Sequence, residues 1–401
     1  MKALKLLIVL LVLCNLALLA QDKKLDEYIS SNKKEQFKYD YKKNEAESSK
    51  LRDSWIAPLN LNYSYSKSDP YGSEQTSESA SIKMDQPIFQ SGGIYYEIKF
   101  AEASKTYADY SVDVIKRKLV KDAISLLMQI KQVDLKIKKQ KLQIENSEIN
   151  LAQKEESYLN GQLDSGFLDN AILERNILIQ ALYDLETNKE RLISKFNSIS
   201  DTDYKSAFIP NLKLLTQEQF LTNNIVLSMS ESEMIKNGYA KDVTVSKYLP
   251  SIRATAGYNW SKSDTPFQFG PNEKNYYDFG FRAYIPIDIN SFRDIESSKI
   301  DYLKSNLVIE DKKRELLAIF EQVMQNINNF EKKKELSIKN QEIYERLLLD
   351  TRDLFSAGYK TKYDVELLQN SVEVQVIDTK IFEIDKQLEL LSLYEMYKDE
   401  I

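Results

Sequence analysis

The sequence offers few side chains of the types that most often carry out catalysis or bind metals. Its 401 residues include no histidine and a single cysteine, Cys14. The commonest general base and the commonest metal ligand are therefore missing. With only 10 glycines, the chain also has no glycine-rich phosphate loop. A hydrolase that uses carboxylates alone remains open in principle, but no motif favours one. We expect neither enzymatic activity nor a cofactor or bound metal.

The amino-terminal residues have the pattern of a secretory signal peptide. Lys2 and Lys5 precede an apolar run, Leu6–Leu19, and a polar stretch begins after Ala20. Positive charge, a short apolar run and a small residue are the parts of such a signal, so we predict that residues 1–20 are removed. A retained anchor is the alternative, although the run is short for a membrane-spanning helix. Lipidation at Cys14 is disfavoured because bulky residues precede it.

The overall charge and hydropathy exclude two further classes of protein. The formal net charge is −6 at pH 7, and an acidic chain is a poor binder of nucleic acid. Mean hydropathy is −0.46, and beyond the predicted signal no segment is apolar enough to cross a bilayer as a helix. If the protein crosses a membrane, it must do so as a closed barrel of strands.

An internal repeat divides the chain into two copies of one unit. Tyr63–Asp69 reads YSYSKSD and Tyr258–Asp264 reads YNWSKSD, so five of seven residues are identical at a spacing of 195 residues. Other landmarks recur at similar spacing: Pro58 with Pro250, Pro87 with Pro286, and Gly161 with Gly358. Such a long spacing indicates a duplicated module. We place the first repeat at 21–210 and the second at 211–401.

Each repeat contains two segments in which apolar and polar residues alternate. They lie at about 59–66 and 79–86 in the first repeat, and at about 252–261 and 276–285 in the second. This alternation predicts strands with one apolar face, about ten residues long, as a tilted strand needs to cross a bilayer. A soluble antiparallel sheet with one wet face would give the same alternation. Aromatic residues near the strand ends favour a membrane: Tyr63, Tyr65, Tyr258 and Trp260.

Long helices are predicted for most of the remaining sequence. Apolar residues recur every three or four positions over Val112–Ile137 and Val374–Leu391, the spacing of a coiled-coil seam. We predict helical hairpins over 93–199 and 291–400. The first helix of each would be roughly 100 Å long at about 1.5 Å per residue. The returning helices are shorter and are complemented by helices at about 24–54 and 217–247. Thr216–Gln219 reads as a capping box that opens the latter.

The order of these elements resembles the TolC family of outer-membrane efflux proteins, over the whole chain after the signal. The family's strand-opening phrase is matched by YLPSI at Tyr248–Ile252, and its phrase after the second strand by QPIFQSGG at Gln86–Gly93. Its hairpin-turn phrase is matched by GYKTKYDV at Gly358–Val365. There are departures: the first turn, Gly161–Asp169, reads as a lengthened version, and Asn290-Ser291 replaces a glycine pair.

The resemblance implies a mainly α-helical fold with a small β part. The duplicated module of long coiled-coil helices and two strand pairs would form one third of a trimeric β-barrel, continued by an α-helical tunnel. Four strands cannot close a membrane barrel, whereas three copies give an even, closed count of 12. The strand phases then assign two faces. The lipid-facing set is Tyr63, Ile82, Tyr258, Phe279 and Phe281, and the barrel-lumen set is Lys83, Asp85, Arg253 and Arg282.

The resemblance also implies a function, that of an outer-membrane channel in a tripartite efflux or type I secretion system. The homotrimer would sit in outer-membrane lipid and conduct substrates passively, docked to a periplasmic adaptor and an inner-membrane transporter. A periplasmic coiled-coil scaffold or adaptor is the alternative. The adaptor-docking tips would be the two turns, namely Gly161, Gln162 and Leu163 within Gly161–Ser165, and Gly358, Tyr359, Lys360 and Thr361. Asp364 would form a periplasmic gate, or would merely favour a helix start.

Overall fold

The chain folds into two compact units. The computed structural model describes residues 27–69, 72–264 and 272–398, so the predicted signal peptide and Cys14 lie outside the described residues. The helical unit comprises the described residues up to Lys38, Asp113–Ile225 and the described residues from Lys313. The sheet unit comprises Tyr39–Val112 and Val226–Lys312. Both sequence repeats contribute to each unit. Within the described ranges, no helix has the length and apolarity that crossing a membrane would require.

The sheet unit contains one antiparallel sheet with the strands in chain order. The strands are β1 (Asn60–Ser68), β2 (Gln75–Phe89), β3 (Ser251–Asp264) and β4 (Asn272–Tyr284). β2 extends beyond the predicted segment at both ends. It runs through Pro87 because the register against β3 shifts between Pro87 and Phe89, and such an irregularity accommodates a residue that cannot donate to the ladder.

The pairing register gives the sheet two distinct faces. Tyr63 faces Ala80, Ile82 faces Tyr258, and Tyr258 faces Tyr277. Directly paired residues point to the same side of a sheet, so the apolar positions of all four strands share one face. The opposite face carries the polar positions, because the alternation in each strand has the same phase relative to its neighbours.

The helices follow the predicted order. They are α1 (Ser31–Arg52), α2 (Gly93–Leu159), α3 (Ser165–Ile199), α4 (Gln217–Thr222), α5 (Ile225–Lys247), α6 (Ser291–Ser356) and α7 (Lys362–Tyr394). The capping box at Thr216 and Gln219 is present at the start of α4, as predicted. These two side chains and the backbone exchange hydrogen bonds that satisfy two otherwise unpaired N–H groups.

The predicted single helix at about 217–247 was wrong, because the chain leaves the helical path at Asn223-Asn224. The backbone there pairs with the carboxyl-terminal segment: Lys398 N donates to Asn223 O at 2.8 Å, and Ile225 N donates to Met396 O at 2.8 Å. An isolated bridge joins Asn224 to Tyr397. The prediction that the last helix continues to 400 was wrong for the same reason, since α7 ends at Tyr394.

In the helical unit, α2 packs against both α3 and α7. One cluster of buried side chains joins α2 to α3: Ala123, Leu127, Ile130, Val133, Leu192 and Phe196. The apolar seam predicted over Val112–Ile137 is only partly correct. Ile115, one of its predicted positions, is exposed, whereas Leu127, which was not one of them, is buried. α6 packs against the other side of α7, where Lys334 and Glu383 lie 2.6 Å apart and Lys386 and Glu331 also lie 2.6 Å apart.

Candidate channel wall and helix tips

The apolar face of the sheet is strongly exposed in the single chain. Side chains from both outer strands are mostly accessible, at 65% for Tyr63, 79% for Phe279 and 77% for Phe281. Ile82 and Tyr258, on the inner strands, are also exposed. The register therefore brings all five predicted lipid-facing residues onto one surface. A contiguous apolar surface of this kind marks an interaction site or a membrane contact. That the surface meets lipid remains a prediction.

The opposite face carries the four residues predicted to line the lumen. Arg253 donates from Nε to Asp85 Oδ1 at 2.8 Å and from Nη2 to the Asp85 carbonyl at 2.8 Å. This pair links β2 to β3 on the polar face. Lys83 and Arg282 share the face, because Lys83 is opposite Gly257 and Arg282 is opposite Arg253. The face can therefore present both signs of charge to solvent.

A second polar contact on this face was not predicted from the sequence. Asn259 Nδ2 donates to Asp278 Oδ1 at 2.6 Å across the β3–β4 pair. Gly257 makes room for it, because a Cβ on Gly257 would lie 2.8 Å from the same Asp278 oxygen. The only sequence signal for this contact is weak: Gly257 lies inside a strand, and a glycine there often marks a close approach.

The apolar face ends in aromatic side chains that have polar partners. Toward the loop ends of the strands, Trp260 Nε1 donates to Glu273 Oε1 at 2.6 Å, and Tyr63 Oη donates to Glu78 Oε2 at 3.3 Å. An aromatic ring with its polar atom turned toward charged groups is typical of a boundary between apolar and wet surroundings. That these aromatic residues lie at a membrane interface stays a prediction.

The two helix turns have the same backbone conformation. Gly161 and Gly358 have φ of 69° and 80°, the left-handed region that favours glycine. In the first turn, Gly161 N donates to Tyr158 O and Gln162 N to Ser157 O, each at 2.9 Å. The second turn repeats this with Gly358 N to Phe355 O at 3.0 Å and Tyr359 N to Leu354 O at 2.8 Å. Both helices thus end in a Schellman motif.

The expectation of a lengthened first turn was wrong. Each turn has the glycine, two further residues and then a helix N-cap, which is Asp164 in the first turn and Thr361 in the second. In the sequence, Ser165-Gly166 looks like an insertion in the turn, but both residues already belong to α3. On this alignment Leu163 corresponds to Lys360, and Phe167 corresponds to Asp364.

The second tip starts α7 with a capping box. Thr361 N donates to Asp364 Oδ2 at 2.9 Å, and Asp364 N donates to Thr361 Oγ1 at 3.3 Å. The backbone hydrogen bond from Thr361 is the main cause that lowers the pKa of Asp364, and the Lys360 ammonium 3.9 Å away also lowers it. The carboxylate is therefore ionised at neutral pH. The structure places Asp364 at a helix start, and its predicted role as a gate stays a prediction.

The first tip has a different cap and a more apolar surface. Asp164 accepts a hydrogen bond from Gly166 N at 3.0 Å, and this bond lowers the pKa of the Asp164 carboxyl. Leu159 and Phe167 flank the turn with exposed fractions of 76% and 55%. At the second tip, by contrast, Tyr359 is exposed beside Lys360 and Lys362.

Polar pairs between α2 and α7 place both tips at one end of the helical unit. Lys139 Nζ lies 2.7 Å from Asp378 Oδ1, and Asn370 Nδ2 donates to Asn146 Oδ1 at 2.9 Å. Gln132 bonds to Asp385 further along. Residue numbers rise along α2 as they fall along α7, so the two helices are antiparallel. The end of α2 and the start of α7, which carry the turns, therefore lie together.

Two further contacts were missed by sequence reasoning. The Arg117 guanidinium donates to the carbonyls of Tyr397 and Lys398, which fixes the carboxyl-terminal segment against α2. Tyr248, in the strand-opening phrase, donates to Asp294 on α6, and this bond raises the pKa of Tyr248 to about 12. Neither contact has a local sequence signal, since the partners lie far apart in the chain.

Over the described ranges, no group of three or more His, Cys, Asp or Glu side chains could hold a metal ion.

Comparison with known proteins finds similarity to solved structures. No protein-family model matches the sequence, and no curated protein matches it. The Campylobacter jejuni CmeC outer membrane channel has a TM-score of 0.73 at 12% identity, covering 95% of this chain and 87% of that chain. The outer membrane protein VceC from Vibrio cholerae has a TM-score of 0.70 at 12% identity, covering 91% and 93%.

A third structure, the open state of the Neisseria gonorrhoeae MtrE outer membrane channel, has a TM-score of 0.67 at 11% identity, covering 94% of this chain and 89% of that chain. Likeness at such low identity establishes a shared fold. The chain has the fold of the TolC-like outer-membrane channel proteins, as its sequence predicted.

Proposed function

We propose that this chain is the protomer of a trimeric outer-membrane channel that conducts solutes passively. The observation that carries the proposal is the apolar face, which crosses all four strands in register while the opposite face keeps its charged residues. A sheet with one apolar and one polar face can separate lipid from a water-filled lumen once it is closed. The likeness in fold to outer membrane channels supports the same assignment.

The helical unit would serve as a periplasmic tunnel that docks at its tips. Both turns lie at one end of the unit and present unlike surfaces, one with Leu159 and Phe167 and the other with Tyr359 and Lys360. A periplasmic adaptor with two unlike contact sites could bind each tip through a different site. The inner-membrane transporter would supply the energy for either efflux or type I secretion. No catalytic step is assigned to this chain.

The test is purification of the protein from outer-membrane vesicles, followed by recording in planar bilayers. We expect a trimer that runs as a larger species until it is heated and that forms long-lived ion-conducting steps. A protein that stays in the soluble periplasmic fraction and gives no conductance would contradict the proposal. That outcome would support the alternative, a periplasmic coiled-coil scaffold.

A further inference from the structure

We propose that a cavity at the end of the sheet where α2 begins binds small organic cations, with Glu97 as the anionic partner and Trp55 as the aromatic partner. The cavity has a volume of about 440 Å³ and lies wholly within the sheet unit. Ligand sites in proteins commonly have such a size, roughly 300–1,000 Å³. Binding at this site does not require conduction, but its use by solutes in transit rests on the proposed function.

Three parts of the sheet unit form the wall of the cavity. They are the segment between α1 and β1, the adjoining ends of β2 and β3, and the first turns of α2. The Gln86 side chain fixes the first of these parts to β2. Its Oε1 accepts a hydrogen bond from Ala57 N at 2.9 Å, and its Nε2 donates to Trp55 O at 3.1 Å. The segment that carries Trp55 is therefore held beside the cavity before any ligand arrives.

Several polar side chains that line the cavity have no partner of their own. Among the described residues, neither the Trp55 indole N–H nor the Gln90 amide takes part in a hydrogen bond, and the Glu97 carboxylate has no hydrogen bond or ion pair. Asp85 and Arg253, by contrast, bond to each other. A cavity on which a few unpaired polar groups converge, between apolar side chains, is typical of a binding site.

The charge of the lining residues favours a cation. Asp85 and Arg253 neutralise each other at 2.8 Å, which leaves Glu97 as the excess charge in the cavity. Burial raises the pKa of the Glu97 carboxyl, and the charge of Lys247, which is exposed and does not line the cavity, opposes that shift only in part. A partly buried carboxylate without a counter-ion is stabilised when a cation binds beside it.

The apolar lining favours a cation that carries alkyl or aromatic groups. Trp55 supplies an aromatic ring, and Pro58 and Pro87 supply apolar surface. Among the described residues, no lysine or arginine lies over the Trp55 ring. Aromatic rings attract cations to their faces, and proteins recognise quaternary ammonium groups in this way. A small metal ion would leave these surfaces unused, so we assign the cavity to alkylated ammonium ions.

The chain provides its own reporter for the test, because Trp55 and Trp260 are its only tryptophans. In the variant Trp260→Phe, all tryptophan fluorescence comes from Trp55. The purified variant in detergent is titrated with benzyltrimethylammonium and, separately, with benzenesulfonate, an anion of similar size, at constant ionic strength. We expect a saturable change in fluorescence with the cation and none with the anion.

Two substitutions assign the cation to the proposed side chains. Glu97→Gln, in the Trp260→Phe background, removes the charge and should weaken binding at least about tenfold. Glu102→Gln is the matched control, because Glu102 is an exposed carboxylate on the same helix that does not line the cavity. Trp55→Leu keeps an apolar side chain but removes the aromatic face. Followed by calorimetry, it should bind the cation roughly two- to fivefold more weakly.

Equal binding of the cation and the anion, or equal affinity of Glu97→Gln and Glu102→Gln for the cation, would overturn the site. The comparison of the two ions needs no substitution in the cavity, so it decides even if Glu97→Gln does not fold. Recording in planar bilayers separates this failure from failure of the proposed function. A protein that conducts but does not bind the cation lacks the site alone. A protein that binds the cation but never conducts has the site and is not a channel.

Discussion

Phe281 and Arg282 are neighbours in the chain but belong to opposite faces of the sheet. Phe281→Arg would put a charge on the face that we assign to lipid, at a cost of about 2–4 kcal/mol near the bilayer midplane. We expect a large loss of heat-modifiable trimer from the outer-membrane fraction. Arg282→Ser, one residue away on the polar face, should leave the yield unchanged.

A second site tests whether the effect comes from lipid or from the open edge of the sheet, because Phe281 lies on the outer strand β4. Ile82 lies on an inner strand, opposite Tyr258, and touches no open edge. Ile82→Arg should impair assembly as Phe281→Arg does. If both arginine variants assemble like the wild type, the apolar face does not lie in a membrane.

Substitution of Asp364 tests two roles of its carboxylate, namely capping the start of α7 and lining the mouth of a channel. The lowered folded-state pKa means that Asp364 stabilises the fold above its ordinary pKa of 3.8, and that this contribution is lost as the pH falls through the lowered value. Asp364→Asn should therefore reduce stability at neutral pH by about 0.3–1 kcal/mol. The difference in melting temperature between variant and wild type should shrink in acid.

Single-channel recording separates the second role. If three copies of Asp364 approach one axis, their ionised carboxylates attract cations, and Asp364→Asn should weaken divalent-cation block and cation selectivity. Asp164→Asn at the other tip is the control. It also removes a charge near a helix start, but Asp164 corresponds to Thr361 and not to Asp364. Unchanged selectivity in Asp364→Asn, together with lower thermal stability, would restrict Asp364 to the capping box.

At the scale of elements, the helix and strand positions could be predicted because their signals are local. Alternation located the four strands, and the spacing of apolar residues located the long helices. The break at Asn223-Asn224 could not be predicted, because its cause is the segment Glu395–Lys398, far away in the sequence. The end of β2 beyond Pro87 was missed for a related reason, since the neighbouring β3 decides how far a strand continues through a proline.

The carboxyl-terminal segment provides a prediction about these elements. Arg117 bonds to two carbonyls of the segment, and hydrogen bonds to a charged donor contribute about 1.5–3 kcal/mol each in favourable cases. We expect Arg117→Gln to lower the free energy of unfolding by about 2–3 kcal/mol. Amide hydrogen exchange should show faster exchange at Ile225 and Lys398, whose N–H groups bond across the same junction. Lys118→Gln, at an exposed neighbouring position, is the control. Equal exchange in the two variants would show that Arg117 does not hold the segment.

At the scale of the whole molecule, the duplication made the fold predictable but did not make the chemistry of the two tips predictable. Two copies of one module gave the order of the elements, and the fold agrees with that of outer membrane channels. The chemistry of the tips was not predictable to the same degree. The alignment of Phe167 with Asp364 became visible only from the backbone of the two turns, because Ser165-Gly166 obscured it in the sequence.

The two tips should therefore contact an adaptor through different chemistry. Leu159 and Phe167 offer an apolar contact at the first tip, whereas Lys360 and Lys362 offer basic groups at the second. Cysteines placed at Gln162 and Tyr359 should each cross-link to the adaptor in cells that express the complete system. Mass spectrometry of the adducts would identify the protein and the residues reached.

Salt and substitution then tell the two contacts apart. Raising the ionic strength should weaken cross-linking from Tyr359→Cys more than from Gln162→Cys, because charge contacts are screened and apolar contacts are not. Phe167→Ser should have the reverse effect and reduce the Gln162 adduct. A cysteine at Ser68, at the loop end of β1, is the control and should give no adaptor adduct, since that end of the sheet would face the cell exterior. Adducts from Ser68→Cys, with none from either tip, would contradict the proposed orientation, in which the tips face the adaptor.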